Sequence, residues 1–209
     1  MSEQTDTLKD DIAFMRAMAQ EGRRGPMIGG AALVSGGLIF TAATMVCWAM
    51  ATGLIAAEAS WYLWVWVAAM GVHVAVMAIL IGRWRRSGNS AKNGAANRAF
   101  RWAWSACGWS IAVIFAGSTL TAWRTHSWMV FATFPTIILA LYGAAWTISA
   151  MMSERRWMLW VAMGSFAGAL GIALVPDVGA TYLAFAAALL LLGAAPGVVL
   201  MREQPSGEA

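Results

Sequence analysis

Six long apolar runs divide the chain, and short segments rich in polar residues, glycine or proline separate them. The runs cover residues 27–53, 60–82, 102–123, 128–152, 157–175 and 181–201. Each is long enough to cross a hydrocarbon layer of roughly 30 Å as an α-helix, which rises about 1.5 Å per residue. The runs lack the alternation, in blocks of about ten residues, that is typical of membrane strands. The pattern therefore predicts an all-α polytopic membrane protein with six transmembrane helices.

The connections between the runs suggest how the helices follow one another. The sequence ValProAspValGlyAla at 175–180 is typical of a tight turn between antiparallel helices. The small, polar stretch 87–97 is best interpreted as a spacer, although a recognition loop is the alternative. We therefore expect three helical hairpins joined on one side of the membrane. They form a transmembrane domain over 26–202, followed by a cytoplasmic tail at 203–209.

Residues 1–25 precede the first run and have a different pattern. Within them, the apolar residues of 7–20 recur at helical spacing, and Thr7 with Asp10 resembles a capping pair. This pattern predicts a short amphipathic N-terminal helix that lies on the cytoplasmic membrane surface. The alternative is a docking helix for a partner protein.

The composition supports a membrane protein. Apolar residues make up 60% of the 209 positions and charged residues only 11%, whereas soluble domains carry about 25% charge. A soluble fold of this length has too large a surface for its volume to bury so much apolar side chain. The six runs also leave no room for a separate soluble domain.

The basic residues predict the orientation. With both chain ends on one side, that side carries thirteen of the fourteen Lys and Arg residues, and the other carries Arg124 alone. Because basic residues near helix ends are retained in the cytoplasm, we expect a multi-pass inner-membrane protein with both termini cytoplasmic. The same charges would attract anionic lipids, which accounts for the basic pI without a nucleic-acid partner.

Thirteen tryptophans are placed mostly near the predicted membrane boundaries, where an indole ring can reach water with one edge. Four lie deeper in the runs: Trp48, Trp66, Trp109 and Trp146. Packed core positions are the simpler interpretation for these four, and the walls of a pocket are the alternative.

His73 is the most polar group predicted near the middle of a span. The simplest interpretation is a neutral imidazole that is hydrogen-bonded to a neighbouring helix, with Ser110, Thr41 or Thr136 as partner. A proton acceptor or a metal or haem ligand is the functional alternative. No Cys or His cluster accompanies it, so we expect no metal and no cofactor.

Prolines in two spans indicate where a cavity would form. Pro135 and Pro196 each remove a backbone donor, which tends to kink a helix and leaves the carbonyl four residues earlier to be satisfied otherwise. A kinked helix can frame a cavity or simply bend. The candidate residues for a ligand site or cavity are His73, Trp109, Pro135 and Trp146.

The second candidate group lies on the outer face, where few ionisable side chains are predicted. They are Glu58, Arg124, His126 and Asp177, one or more from each outer loop. A salt bridge of Arg124 with Glu58 or Asp177 is plausible there, although exposed pairs contribute only about 0–1 kcal/mol. The group would either recognise a polar head group or ion, or consist of ordinary solvated loop charges.

No motif of an enzyme occurs, and no carboxylate pair lies within a span. We therefore expect a non-enzymatic helical bundle that binds a ligand or a membrane or cytoplasmic protein partner. The alternative is a small transporter of a neutral or hydrophobic solute. In composition, and in the spacing of Ala32 and Gly36, the chain loosely resembles small membrane families such as vitamin-uptake substrate-binding subunits. It shares no specific motif with them, so the resemblance implies no residue roles.

Overall fold

The computed structural model describes residues 29–86 and 95–203, except for the side chains of residues 84, 85 and 95. The helices are α1 (Gly30–Ala51), α2 (Ala59–Arg86), α3 (Ala95–Thr125), α4 (Phe134–Ser153), α5 (Arg156–Ala173) and α6 (Val178–Arg202). A 3₁₀ turn, Trp128–Thr133, leads into α4, and a π-helical turn, Leu190–Ala194, interrupts α6. No strand occurs among the described residues.

All six helices are long and apolar enough to cross a membrane. They coincide with the six apolar runs, so the predicted all-α polytopic fold is confirmed. The amphipathic helix predicted within 1–25 lies outside the described residues. So do residues 87–94 of the 87–97 spacer, whose last three residues begin α3, and, beyond Glu203, the predicted tail.

Local chemistry explains where α4 and α6 begin. Asp177 accepts a hydrogen bond from the Ala180 backbone N–H at 2.6 Å, which caps α6. Pro135 lies in the first turn of α4. A backbone N–H has no partner in a helix at that position, so the proline costs no hydrogen bond. Contrary to the predicted kink within the fourth span, Pro135 therefore marks the start of the regular helix.

Glycines allow α1 and α6 to pack at very short range. A Cβ atom at Gly197 would lie 2.9 Å from the Gly30 carbonyl oxygen, and one at Gly37 would lie 2.8 Å from the Ala194 backbone nitrogen. Small residues permit this approach, and the resulting dispersion contacts drive helix association in lipid. Besides α1 with α6, the most extensive contacts are those between α4 and α5. The predicted hairpins are therefore not the main packing units. Helices α5 and α6 follow one another in the chain, yet they contact each other much less than α5 contacts α4 or α6 contacts α1.

Helices α2 and α3 lie at the margin of the bundle. Only 6% of the α2 span and 11% of the α3 span are buried, compared with 50% of the α6 span. Helix α2 packs mainly on α1, and α3 mainly on α4. These two helices therefore present most of their surface to the surrounding membrane.

The two ends of the bundle differ in chemistry. At one end Arg155 forms an ion pair with Glu203, and Gly29 lies against Phe100. We call this the arginine end, since it also carries Arg101, Arg156 and Arg202. At the other end the rings of Tyr62 and Tyr182 stack with centroids 6.5 Å apart, and we call this the tyrosine end. Partial burial lowers the pKa of Arg155 from its ordinary value.

Candidate functional site

A cavity of about 300 Å³ opens in the half of the bundle near the tyrosine end. Four helices and the 3₁₀ turn contribute to its wall. The described residues that line it are Ala59, Tyr62, Leu63, Trp66, Phe115, Trp128, Phe131, Phe134, Pro135, Val178, Tyr182 and Phe185. Eight of these twelve are aromatic, and none carries a formal charge. The arrangement provides a large apolar surface with only phenol and indole groups for hydrogen bonding.

The 3₁₀ turn positions one wall of this cavity. His126 has a φ of 51°, which turns the chain sharply after α3. The turn then presents Trp128 and Phe131, whose rings stack with centroids 6.0 Å apart. Phe131 also contacts Phe134 at the start of α4, with ring centroids 5.8 Å apart. The 3₁₀ turn and the first residue of α4 thus place three neighbouring aromatic rings in the cavity wall.

A second, smaller cavity of about 40 Å³ adjoins the first toward the middle of the bundle. Both are lined by Trp66, Phe115, Phe134 and Phe185. The remaining residues of the smaller cavity are Phe40, Met70, Ile111, Ile138, Tyr142 and Leu189. The two cavities therefore lie next to each other, with four aromatic side chains between them.

The cavity separates α2 from α3. Residues of α2, such as Tyr62 and Trp66, line one side, and Phe115 of α3 lines another. The two helices make few contacts with each other, although both line this cavity. Since both also face the membrane, the gap between them lies beside the lipid.

The four predicted outer-face residues are all exposed and surround the tyrosine end. Glu58 precedes Ala59, and Asp177 precedes Val178, so both carboxylates flank the cavity in sequence. No ion pair joins the four within the described part of the chain. The suggested salt bridge of Arg124 with either carboxylate is therefore not formed, and Asp177 caps α6 instead.

His73 lies half-buried between α2 and α1. Its ring packs against Phe40 with centroids 5.2 Å apart, and its Cε1 lies 3.1 Å from where a Cβ of Gly36 would be. Its Nδ1 is buried without a hydrogen-bond partner among the described residues. Nδ1 therefore does not make the imidazole hydrogen bond expected with Thr41, Ser110 or Thr136. His73 lines neither cavity, but it contacts Phe40, which lines the smaller one.

Trp146 is fully buried, and its role is structural. Its indole Nε1–H donates a hydrogen bond of 2.9 Å to the Leu192 carbonyl in the π turn. That carbonyl lies four residues before Pro196, which has no N–H to donate. Trp146 thus gives a hydrogen bond to the carbonyl for which the sequence argument expected a partner other than residue 196.

Trp109 and Trp66, two more of the deep tryptophans, differ in where they point. Trp109 projects from α3 with 74% of its surface exposed and lines neither cavity. Trp66 lines both. Pro135, the fourth candidate for a ligand site, lies in the wall of the larger cavity. The structure thus brings only Pro135 of the original four candidates to the cavity wall.

Sequence reasoning missed most of the aromatic wall. Tyr62 with Trp66, and Tyr182 with Phe185, recur at i,i+4 and i,i+3 spacing, which places each pair on one helix face. The aligned faces of α2 and α6 were the available signal. It was hidden because aromatic residues near span ends also serve as membrane-boundary anchors.

The comparisons with known proteins assign no family to this chain. No protein-family model, no curated protein and no solved structure matches it.

Proposed function

We propose that this protein is a non-enzymatic helical bundle of the inner membrane that binds a hydrophobic molecule in the larger cavity. The single observation that carries the proposal is the cavity of about 300 Å³ with its eight aromatic residues. Ligand sites are usually concave, mostly apolar and lined by aromatic side chains, with few polar groups. This cavity has each of these properties.

The chemistry of the wall favours binding over catalysis. Tyr62 and Tyr182 are the most readily ionised groups among the described lining residues. General acid–base catalysis needs a group whose pKa lies near the working pH, and phenols ordinarily titrate near pH 10. A wall of this type can hold a molecule and orient it, but supplies no acid, base or nucleophile suited to neutral pH.

The arginine-end half of the bundle argues for binding rather than transport. There Trp146 is in ring contact with Trp104 and Trp157, with centroids 5.2 Å and 6.0 Å apart. Phe100 and Tyr142 complete this filled aromatic cluster, in contact with Trp104. A transporter of a neutral solute, the alternative function, would have to open this half as well.

The orientation and the lipid partners form part of the same proposal. The excess of Lys and Arg at the arginine end supports a cytoplasmic position for that end and for both termini. Anionic lipids would then surround the arginine end, and the cavity would lie in the leaflet facing away from the cytoplasm. An impermeant reagent applied to intact cells should leave a cysteine added after Ala209 unlabelled. Labelling from outside would contradict this orientation.

Native mass spectrometry of the full chain, released in lipid nanodiscs without detergent, tests the binding function. The wild-type protein should retain a hydrophobic molecule that bulk lipid does not account for. Leu63→Trp, which fills the larger cavity, should lose that molecule. Leu159→Trp, a matched control on the 43%-exposed Leu159 of α5, should keep it. No retained molecule in the wild type, or equal retention in both variants, would contradict the proposal.

A further inference from the structure

We infer that the ligand is an amphiphile with one long chain and an uncharged head group, of the kind of a monoacylglycerol or a long-chain alcohol. This inference rests on the proposed binding function and specifies its ligand. The geometry behind it is the alignment of the two cavities. A wide compartment lies at the tyrosine end, and a narrow one lies behind it.

The narrow compartment fits a single chain. Its volume of about 40 Å³ is far smaller than that of the wide compartment. Its wall combines aliphatic side chains, such as Met70, Ile111 and Leu189, with aromatic rings. A ring system or two acyl chains would not enter so narrow a space without displacing packed side chains. The end of one flexible chain can do so, because each methylene group is thin and gains free energy on leaving water.

The wide compartment fits an uncharged head group. The hydroxyl groups of Tyr62 and Tyr182 can each donate and accept a hydrogen bond at its wall. None of the described lining residues offers a positive charge to an anionic head. Glu58 and Asp177, which flank the compartment in sequence, would repel one. Hydroxyl groups on the ligand match this environment.

The position of the gap between α2 and α3 explains how such a molecule enters. The chain and the head of a membrane amphiphile lie at different depths in one leaflet. The two compartments likewise lie one behind the other along the bundle. An amphiphile that moves sideways between α2 and α3 therefore keeps its orientation, with the head toward the tyrosine end.

Photo-crosslinking in nanodiscs tests the depth of the chain. The probe is monopalmitoylglycerol with a diazirine either next to the head or at the chain terminus. The first should label residues of the wide compartment, such as Tyr62 or Tyr182, and the second should label Met70, Ile111 or Ile138. Labelling of the same residues by both probes would overturn the inference.

A chain-length comparison provides a second, independent test. Met70→Trp should block the narrow compartment and weaken binding of monopalmitoylglycerol roughly tenfold, as expected when about two methylene groups lose their burial. Binding of monooctanoylglycerol, whose shorter chain places fewer methylene groups in that compartment, should change less than about twofold. Met163→Trp, on the 64%-exposed Met163 of α5, is the matched control and should leave both unchanged.

A second pair of variants keeps the test decisive if Met70→Trp does not fold. Ile111→Trp fills the narrow compartment from α3, and Ile148→Trp is its control at a position that is 47% exposed. Equal weakening of both chain lengths by the folded plug variants would overturn the single-chain inference while leaving binding intact. The inference would also be overturned if the wild type bound neither monoacylglycerol but retained a molecule of another class. The proposed binding function would then still stand. If the wild type retains no molecule at all, the proposed function fails with it.

Discussion

The two halves of the bundle are built from the same kinds of side chain, yet one is filled and the other is hollow. Near the arginine end, Trp146 is fully buried and in ring contact with Trp104, Trp157 and Phe100. Near the tyrosine end, eight aromatic residues surround about 300 Å³. Aromatic content therefore does not distinguish a core from a cavity. The distance at which the helices pack does.

Glycine positions account for much of that difference. In α1 and α6, Gly30, Gly37 and Gly197 let the backbones approach until no Cβ atom would fit between them. In α2 and α3, Gly71, Gly108 and Gly117 have open space where a Cβ atom would be. The small residues of the marginal helices are thus not used within the described chain, and these helices remain apart.

The largest effect is expected from removing the centre of the filled half. Trp146→Ala should lower the free energy of unfolding by about 3–5 kcal/mol, because it leaves a cavity and an unpaired Leu192 carbonyl. Titration with SDS in mixed micelles, followed by circular dichroism, measures this change. Trp109→Ala, at the exposed position on α3, should change little. If Trp66→Ala in the hollow half costs as much as Trp146→Ala, the contrast between the halves is wrong.

The close packing of α1 with α6 should be the next most sensitive feature. Gly197→Val should lower the free energy of unfolding by about 1–3 kcal/mol, because the added side chain meets the Gly30 carbonyl and Val34. The same titration measures it. Gly108→Val, where no atom lies within 4 Å of the new Cβ, serves as the control. Similar losses at both glycines would contradict the role of close packing.

A smaller effect should isolate the hydrogen bond to the π turn. Trp146→Phe removes the indole N–H while keeping an aromatic ring. It should lower the free energy of unfolding by about 1–3 kcal/mol. The loss should be near the lower value if water reaches the Leu192 carbonyl. Trp157→Phe is the matched control, because its Nε1 has no partner among the described residues. An equal loss in both variants would show that ring volume, rather than the hydrogen bond, determines the result.

The smallest effect is expected in the hollow half. Leu63→Phe adds volume beside the larger cavity and should leave the free energy of unfolding unchanged or raise it by up to about 1 kcal/mol. Leu200→Phe, at a position with no exposed surface, should lower it, because the site has no space for the larger ring. A clear loss from Leu63→Phe would mean that this half is as tightly packed as the other.

The sequence predicted the number of helices and their approximate limits, because lipid requires long apolar segments whose backbone polar groups are satisfied internally. It also indicated that the carbonyl four residues before Pro196 cannot bond to that residue, and this carbonyl accepts a hydrogen bond from Trp146. It did not predict which helices pack together. In lipid that depends on a few close approaches, such as Gly37 with Ala194, rather than on the hydrophobic pattern.

The candidate site was less accessible from the sequence. Pro135 lies in the wall of the larger cavity, but the kink from which the sequence argument proposed a cavity does not form, since the regular helix begins only at Phe134. Trp109 and Trp66 could not be distinguished, because both are deep tryptophans in apolar helices. Only the rotation of each helix determines that one projects from the bundle and the other faces the cavity.

The π turn in α6 has a consequence for how this helix tolerates changes in length. Such a turn accommodates one residue more than an α-helical turn, and one residue corresponds to about 100° of rotation. Deleting a single residue between Leu190 and Ala194 would therefore restore an unbroken α-helix with Ala195–Arg202 still facing α1, whereas a deletion elsewhere in α6 would rotate the residues after it by about 100°. A residue can thus be lost within this turn without changing how Gly197 faces Gly30, and both parts of α6 stay packed on α1.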